Sequence, residues 1–474
     1  MVAAGIGLRL KAETMNKSFD PLALSEFARH YGFHYDGIDP QALIKELLGE
    51  MERGLEGKKS SLRMIPSYIT PIANIPQNKT VLALDAGGTN LRSSLVHFDM
   101  NGQAVTQKTI KTVMPGVNKQ VNAEQFFGAF ADAALPLLKE TKLKKTKIEG
   151  IGFTFSYEIE NTSDSDGVIV FLGKEVDAPE VIGKTLGSGL RDALAVKGFK
   201  YDGPIVTLND TVATLLSGYV SISPDGGTIK SRNDFGVPPG PVIGLILGTG
   251  CNTAYPETNI PKINFNSGSS PQIVNCETGG FAIRSRGQLD MEYDSTTLNP
   301  GGFFLEKATS GAYLGPLTLH ILKKAIKDKL IQFRKSDELT AMPYLDTKVL
   351  NEFIQAPLTT DGPLGSLFAA DEGDAAAAVQ YITSIITERA AFFLAAALAA
   401  IIERINPAYE PYSPVRFAVE GSTFKFFKGM RRALESNLHQ MLVRDKPRPY
   451  IISPVEQASL FGAAVAALKP WILR

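Results

Sequence analysis

The stretch VLALDAGGTNLR, residues 81–92, joins an apolar strand to a carboxylate, two glycines and a hydroxyl. Val81–Leu84 has the aliphatic composition of a buried strand, and Asp85 follows directly at its end. Gly87 and Gly88 carry no Cβ, so backbone N–H groups can approach a polyphosphate closely there. The stretch has neither the Gly-Lys-Ser/Thr ending of a Walker A loop nor the third glycine of a dinucleotide fingerprint. It predicts a phosphate-binding hairpin, and an ordinary Gly-Gly hairpin between two strands is the alternative.

On both sides of this hairpin, segments of strand composition alternate with segments whose apolar residues recur at helical spacing. Strands are predicted at Val81–Leu84, Ser93–Phe98, Ile148–Phe155, Val168–Phe171, Ile205–Leu208 and Val242–Leu247, and helices at 20–58, Ala123–Leu138, Val181–Ala195, Thr211–Ser217 and Phe303–Leu330. Segments rich in Gly, Pro, Asn and Ser predict loops at 223–240, 256–272 and 361–372. The alternation predicts an α/β protein.

The composition limits the classes of partner. The chain has 474 residues, with 49 Lys and Arg against 49 Asp and Glu, so no net field favours nucleic acid or an anionic membrane surface. This length predicts two or three domains, at roughly 100–200 residues each. The two cysteines, Cys251 and Cys276, have neither a zinc-type nor a redox-type spacing. We expect reduced thiols in the cytoplasm, with a bridge between the two as the open alternative.

The apolar segments do not predict a membrane protein. The longest apolar run, Ala390–Ile402, has 13 residues, whereas a membrane helix needs about 20. We therefore expect a buried helix there and no stable insertion into a membrane. Residues 1–19 begin with an apolar stretch that Gly5 and Gly7 interrupt and that lacks a basic leader, which argues against a signal peptide. They are expected to be an N-terminal lead-in without regular structure.

Further segments occur in an order that is typical of one family of sugar kinases. They are Ser61–Tyr68, Ile151–Tyr157, Leu208–Leu215, Gly244–Tyr255, Asn275–Glu277 followed by Leu298–Gly301 and Phe304–Lys307, and Val419–Thr423. Together with residues 81–92, they resemble the motifs of the hexokinase family over roughly residues 20–470. Any one of these motifs is a weak signal, whereas the ordered set is a specific one.

The resemblance implies an actin-like (ribonuclease H-like) α/β fold of two lobes with a cleft between them. Residues 70–215 with 457–474 would form the small lobe, and residues 20–69 with 216–456 the large lobe. The family has a duplicated core, which would account for the two similar hairpins at 81–96 and 242–255. The implied activity is Mg²⁺-ATP-dependent phosphorylation of the 6-hydroxyl of a hexose, with D-glucose as the expected substrate, feeding glycolysis. The implied partners are a hexose and ATP, without nucleic acid; no oligomeric partner follows from the sequence.

Asp210 is the candidate general base. Phosphoryl transfer needs a group that accepts the proton of the attacking hydroxyl. Asp210 follows the apolar strand Ile205–Leu208, at the carboxyl end where open α/β sheets bind ligands. Without the family, the same residue would equally suit the N-cap of the helix that follows. The resemblance implies the catalytic role.

A hexose presents hydroxyls that donate and accept, so its site needs donors and acceptors around the ring, and carboxylates are the strongest acceptors. The positions that match the sugar contacts of the family are Ser156, Lys174, Asn209, Asp210, Asn252, Glu277 and Glu306. For Glu277 and Glu306, the alternative is a pair of surface glutamates near helix starts.

The resemblance also implies three nucleotide-binding segments. Asp85, Gly87, Gly88, Thr89, Asn90 and Arg92 would hold one end of the triphosphate, Gly248, Thr249 and Gly250 the other, and Gly421, Ser422 and Thr423 would lie near the adenosine. Asp85 is expected to reach Mg²⁺ through water, because Mg²⁺ usually keeps several waters. No residue is therefore predicted as a direct metal ligand.

The chain departs from the family pattern at several positions. Gly173 replaces a threonine before Lys174, Thr278 replaces a tryptophan, Phe303 replaces a glutamine, Glu420 replaces an aspartate, and the glycine-rich end motif has become Ala458–Ala464. These changes leave the choice among hexoses open, and they argue against a regulatory phosphate site at the end motif. Phe303 either faces the sugar or turns into the core beneath the following helix.

Other functions also stay open. A nucleotide-binding chaperone or filament protein of the same fold would lack the sugar-binding set. A catalytically weak or silent sugar sensor would keep that set, and a kinase for another hexose would keep the base as well. Release of ADP with and without each hexose separates these functions.

Overall fold

The computed structural model describes residues 19–71, 75–173, 176–222, 240–268, 270–357, 362–405, 414–443 and 448–468. Its strands are β1 (Ile65–Pro66), β2 (Lys79–Gly87), β3 (Asn90–Phe98), β4 (Gln103–Val113), β5 (Ile148–Phe155), β6 (Glu158–Asn161), β7 (Gly167–Phe171), β8 (Ile205–Leu208), β9 (Ser221–Ile222), β10 (Val242–Leu247), β11 (Cys251–Glu257), β12 (Asn259–Ile260), β13 (Phe265–Asn266), β14 (Gln272–Asn275), β15 (Val415–Glu420) and β16 (Tyr450–Pro454). Its α-helices are α1 (Pro21–His30), α2 (Pro40–Leu55), α3 (Ala123–Leu143), α4 (Leu186–Val196), α5 (Asp210–Ser217), α6 (Gln288–Ser295), α7 (Phe304–Thr309), α8 (Leu314–Lys327), α9 (Ser336–Ala341), α10 (Thr347–Gln355), α11 (Gly373–Ile405), α12 (Ser422–Phe426), α13 (Met430–Val443) and α14 (Ala458–Ala467).

Five strands of each of two six-stranded mixed sheets repeat one topology. The first sheet has the order β8-β5-β2-β3-β4-β9, and the second has the order β16-β15-β10-β11-β14-β1. In the first sheet β2, β3 and β4 are antiparallel, and β5 and β8 run parallel to β2. In the second sheet β10, β11 and β14 are antiparallel, and β15 and β16 run parallel to β10. The expected duplicated core is therefore confirmed.

The sheets and helices stack in alternating layers, which give the predicted two-lobed α/β fold. Helices α3 and α4 cover the outer face of the first sheet, where the Phe130 and Phe153 rings lie 4.9 Å apart. Helices α2, α8, α11 and α13 cover the second sheet. Between the sheets lies a third apolar cluster, which contains α5 and α14. The boundaries predicted for the two lobes stay a prediction.

The two central helices are exchanged between the sheets. Helix α5 follows β8 of the first sheet but packs on β10 and β11 of the second, while α14 follows β16 of the second sheet and packs on β2 and β5 of the first. The helices cross in close contact: a Cβ on Gly462 of α14 would lie 1.9 Å from the carbonyl oxygen of Ala213 in α5. This crossing joins the two lobes through their cores.

Helix starts follow from capping residues in the sequence. The Asp20 carboxylate accepts hydrogen bonds from the backbone of Leu22 and Ala23, and Pro21 opens α1. Asp39 and Pro40 repeat this pattern at α2. The helical prediction for residues 20–58 is confirmed, as two helices rather than one.

The single helix predicted over Phe303–Leu330 is wrong. Two helices, α7 and α8, occupy this segment and are separated at residues 310–313. There the amides of Gly311 and Ala312 donate to the carbonyl oxygens of Gly248 and Thr249, at 2.8 and 3.0 Å. The helix is interrupted because its middle turn docks on a distant loop, which helical periodicity does not reveal.

Smaller differences concern two further segments. The helix predicted from Val181 begins only at Leu186, after a 3₁₀ turn at Pro179–Val181. The predicted loop 256–272 contains the short hairpin of β12 and β13. Residues 1–18 of the predicted lead-in, 223–239 of the first predicted loop, and Lys174 lie outside the described residues.

Helix α11 corrects the expectation that no segment is long enough to cross a membrane. It has 33 residues and is apolar enough to cross a membrane by length and composition. However, 94% of its most apolar 18-residue window is buried within the protein. Its Arg389 side chain is also buried and forms an ion pair with Asp290 at 2.6 Å. These contacts are those of a core helix.

Candidate active site

The candidate site lies in the cleft between the sheets, where several strands end in carboxylates. Asp85 lies near the end of β2, Asp210 follows β8, Glu277 follows β14 and Glu420 ends β15. Burial raises the pKa of each of the other three carboxyls, and the charge of Asp210 adds to this rise. Such coupling requires proximity, so residues from both halves of the chain converge on Asp210.

Asp210 is the first residue of α5, and its carboxylate is not needed for capping. The cap is Asn209, whose Oδ1 accepts a hydrogen bond from the Thr211 amide at 2.8 Å. The alternative that Asp210 is merely the N-cap is therefore wrong. Burial raises the pKa of Asp210 above its usual value, while hydrogen bonds from the Ser156 and Thr211 side chains lower it. A carboxylate with a raised pKa is a better proton acceptor, as a general base requires.

Asn252, Asn275 and Glu277 form a hydrogen-bonded group at the edge of the second sheet. Asn275 Nδ2 donates to Glu277 Oε1 at 2.6 Å, and Asn252 Nδ2 donates to Asn275 Oδ1 at 2.8 Å. Asn252 Oδ1 accepts from the Thr278 amide at 3.2 Å, which fixes the orientation of its side chain. Burial raises the pKa of Glu277, and the hydrogen bond from Asn275 opposes this effect.

Glu306 enters the same region from the first turn of α7. Its Oε2 accepts a hydrogen bond from the Cys251 amide at 3.3 Å. A Cβ on Gly250 would lie 2.7 Å from this oxygen, so the glycine leaves room for the carboxylate. Burial raises the pKa of Glu306 as well. The alternative that Glu277 and Glu306 are surface glutamates is wrong, because both are largely withdrawn from solvent.

The first phosphate hairpin is a tight turn, as predicted. Gly87 pairs with Asn90, so Gly88 and Thr89 form a two-residue connection, and Gly88 has a φ of +48°. The Tyr157 hydroxyl donates to the Gly88 carbonyl oxygen at 2.6 Å. A Cβ on Gly87 would lie 3.0 Å from Ser156 Oγ. The predicted phosphate turn and the predicted sugar residue Ser156 are therefore neighbours.

The second hairpin turn, Gly248–Gly250, contacts the segment predicted to lie near adenosine. Gly421 has a φ of +131°, and a Cβ there would lie 2.1 Å from the Leu247 carbonyl oxygen. The buried Thr423 hydroxyl donates to the Gly248 carbonyl oxygen at 2.8 Å. Thr423 thus holds the two segments together, while Ser422 is exposed.

Asp85 and Glu420 face each other from the two sheets. Burial raises the pKa of Asp85 to about 6, although Arg92 lies 3.5 Å from its carboxylate and Thr154 donates to it at 3.2 Å. Burial, and then the charge of Asp85, raise the pKa of Glu420 to about 7. Ser459 binds Glu420 Oε2 through its amide and its hydroxyl, each at 3.1 Å.

This excess of carboxylates fits a bound divalent cation, which would supply the missing positive charge. Among the described residues, no three His, Cys, Asp or Glu side chains are arranged to hold a metal ion directly. The arrangement therefore suits Mg²⁺ held mainly by water and phosphate oxygens, with Asp85 and Glu420 nearby.

Two departures from the family pattern can now be placed. Phe303 has a φ of +55° and caps α7, and its side chain is 43% exposed, so the interpretation that it turns into the core is wrong. Thr278 is buried against Thr253, to which it hydrogen-bonds. Cys251 and Cys276 are buried free thiols, so the expected reduced state is confirmed and no bridge forms between them.

The sequence analysis missed the residues that support the site. Thr154 and Asn275 lie inside quoted motifs, but they received no role because each binds a site residue rather than a ligand. Both are polar residues at the end of an apolar strand, which was the available signal. Glu420 was not among the predicted site residues, although burial and the charges of Asp85 and Asp210 raise its pKa and place it in one acidic group with them.

A duplicated sheet core, two phosphate turns and a set of sugar-type acceptors define an actin-like, ATP-dependent sugar kinase of two lobes. Two models of the hexokinase family match residues 25–220 and 242–469, which together are most of the chain. The chain belongs to the hexokinase family.

The relatives span nearly the same length. Hexokinase-1 of Saccharomyces cerevisiae is 26% identical over 457 residues, which cover 92% of this chain and 90% of the yeast protein. Glucokinase-1 of the same yeast is 27% identical, and the match covers 90% of this chain and 93% of the glucokinase. The structure of the hexokinase from Schistosoma mansoni complexed with glucose has a TM-score of 0.73 at 25% identity, covering 95% of this chain and all of that one.

Proposed function

We propose that this protein transfers the γ-phosphoryl group of ATP to the 6-hydroxyl of D-glucose. The observation that carries the proposal is the place of Asp210, which couples to Glu277 on the sugar side and to Asp85 on the phosphate side. A hydroxyl beside Asp210 therefore lies between the sugar acceptors and the phosphate turns. The related Schistosoma enzyme, solved with glucose, supports the choice of hexose.

In this reaction, Asn252, Glu277 and Glu306 bind the ring hydroxyls and Ser156 closes the site from the other lobe. The substrate oxygen attacks the γ-phosphorus, its proton passes to Asp210, and the bond to the bridging oxygen of ADP breaks. Bound Mg²⁺ would neutralise phosphate charge. The turns at Gly87–Asn90 and Gly248–Gly250 supply backbone N–H groups and leave room for the phosphates.

The cofactor and the compartment are parts of the same proposal. We infer that ATP binds as its Mg²⁺ complex, because Asp85, Asp210 and Glu420 bring more negative charge than Arg92 offsets. We infer a cytoplasmic, reducing location, because both cysteines are buried free thiols. The balanced charge of the chain supports small-molecule partners rather than nucleic acid.

The test is a coupled assay of ADP release with glucose, mannose, fructose or no sugar. We expect sugar-dependent release that requires Mg²⁺ and that is most efficient with glucose by kcat/KM. Glucose 6-phosphate should be identified as the product. Sugar binding without turnover would favour the sensor, and higher kcat/KM for another hexose would overturn the choice of glucose.

A further inference from the structure

Arg63 lies where the two lobes face each other beside the sugar site. It precedes β1 at the edge of the second sheet, whereas its ionic partners, Glu158 and Glu160, lie on β6 of the hairpin that follows the first sheet. The guanidinium pairs with Glu158, and it pairs with Glu160 at 3.3 Å. Because Arg63 and its two glutamate partners belong to different lobes, these ion pairs affect how the two lobes contact each other.

The backbone of Arg63 is fixed to the segment that carries Glu277. The amide of the next residue, Met64, donates to the Cys276 carbonyl oxygen at 3.3 Å, and Ile65 pairs with Asn275. Lys262 Nζ donates to the Arg63 carbonyl oxygen at 2.8 Å. Burial raises the pKa of Glu277, and the positive charge of Arg63 partly opposes this rise. Arg63 is thus rigidly placed beside the sugar-binding side of the large lobe.

The partner hairpin is fixed to the opposite side of the site. Glu158 comes two residues after Ser156, and Tyr157 between them donates its hydroxyl to Gly88 of the first phosphate turn. The Arg63 side chain is 38% exposed and that of Glu158 is 28% exposed. Dissolved ions can therefore reach the pair, although both side chains are partly buried.

We propose that Arg63 is a positioning residue for the hexose. By pairing with Glu158 and Glu160, it holds Ser156 against the lobe that carries Glu277, and so it strengthens sugar binding. The inference rests on the proposed sugar-kinase function. The pair joins the lobes at β1 and β6, outside the phosphate turns, so its loss should weaken the sugar complex more than phosphoryl transfer.

Removal of the charge tests this role. Arg63→Met should raise the KM for glucose by about three- to tenfold, while kcat and the KM for ATP stay within about twofold. Added salt should raise the glucose KM of the unchanged protein more than that of the variant, because ionic strength screens exposed pairs. Arg29→Met is the matched control, since it removes an exposed pair with Asp36 within one lobe, at 2.8 Å.

Exchange of the charges separates positioning from a merely structural role. Arg63→Glu combined with Glu158→Arg should bring the glucose KM back to within about twofold of the original value, whereas Arg63→Glu alone should not. An unchanged glucose KM in Arg63→Met, a fall in kcat alone, or no recovery in the exchanged protein would overturn the proposal. An unmodified protein that phosphorylates no hexose would instead refute the proposed function.

Discussion

Asp210 couples to carboxylates on both sheets, and its replacement should separate chemistry from binding. Asp210→Ala should lower kcat by ~10²–10⁴-fold, the usual share of general base catalysis, because the hydroxyl loses its proton acceptor. Nucleotide binding, measured by calorimetry, should be retained. Since burial raises the pKa of Asp210, kcat of the unchanged protein should fall as the pH drops through that raised value.

The control for this variant is Asp192→Ala, on the exposed face of α4. It should keep the turnover of the unchanged protein. Near-normal turnover in Asp210→Ala would remove Asp210 from the catalytic role.

Phe303 should make the protein less selective among hexoses. Phe303 is the N-cap of α7, whose third residue is Glu306, so both lie at the same end of this helix. Phe303→Gln introduces an amide that can bind a hydroxyl, so kcat/KM for glucose relative to mannose and fructose should rise. The melting temperature should hardly change, because Phe303 is outside the core and glutamine tolerates the left-handed backbone no worse.

Leu298→Gln, at an exposed position of the same loop, is the matched control and should leave these ratios unchanged. If Phe303→Gln gives the ratios of the unchanged protein, Phe303 has no part in hexose selection.

Glu420 should make the ligand-free protein less stable at high pH. The pKa values of Asp85 and Glu420 rise from 3.8 and 4.5 to about 6 and about 7 on folding. The folded state therefore holds protons that the unfolded chain has lost, and this stability, complete below pH 4, disappears as the pH rises through 6 to 7. At pH 8, Glu420→Gln should raise the free energy of unfolding by on the order of 1–2 kcal/mol and so raise the melting temperature. At pH 4, it should change the melting temperature little.

Glu26→Gln, at an exposed site of α1, serves as the control. An equal gain for Glu420→Gln at both pH values would show that ionisation of the buried carboxylate is not the cause.

The part of the site that could be predicted from the sequence is the part formed by residues close together in the chain. The carboxylate and glycine pair of residues 81–92 indicate a phosphate turn because a short segment both forms the turn and uses it. By contrast, Asn275 matters through Glu277 and Asn252, and the latter lies on a different strand. Partnerships between strands depend on register, which one sequence does not specify at single-residue precision.

The break between α7 and α8 should control nucleotide binding. A Cβ on Gly311 would lie 2.4 Å from Thr423 Oγ1 and 2.8 Å from the Gly248 carbonyl oxygen. Gly311→Ala should therefore displace the second phosphate turn, raising the KM for ATP severalfold and lowering the melting temperature by several degrees. Gly362→Ala, where a Cβ would meet no atom within 4 Å, is the control.

Equal ATP KM values for Gly311→Ala and Gly362→Ala would refute this dependence.

The break between α7 and α8 also explains why helical periodicity predicted a single helix. Apolar residues continue at helical spacing through Leu314 and Leu317, but at Gly311 and Ala312 tertiary hydrogen bonds to Gly248 and Thr249 replace helical ones. In the duplicated core, β2, β3, β5, β8 and β10 were predictable because each is apolar in itself. Strand β4 was not predicted, because most of its residues are polar and exposed.

The two lobes should approach each other when glucose binds. Ser156 and Asp210 belong to the half of the chain that forms the first sheet, while Asn252, Glu277 and Glu306 belong to the other half. A hexose that contacts both halves favours the closed arrangement and excludes water from the phosphates. Small-angle X-ray scattering should show a smaller radius of gyration with saturating glucose.

The Glu277→Gln variant provides the control, since weaker sugar contacts should shift this contraction to higher glucose. Scattering profiles of the unchanged protein that are the same with and without glucose would rule the movement out.

The crossing of α5 and α14 has a consequence for the newly made chain. The first sheet is complete in sequence at β9, yet the helix that covers the inner face of β2 and β5 begins at Ala458, close to the last described residue. During synthesis, about half of the chain, residues 223–457, must emerge before the helix that covers this apolar face is made. Exposed apolar faces of this kind favour aggregation and chaperone binding. The apolar layer between the sheets therefore cannot close before Ala458–Ala467 has been made, although every strand of the first sheet is encoded before residue 223.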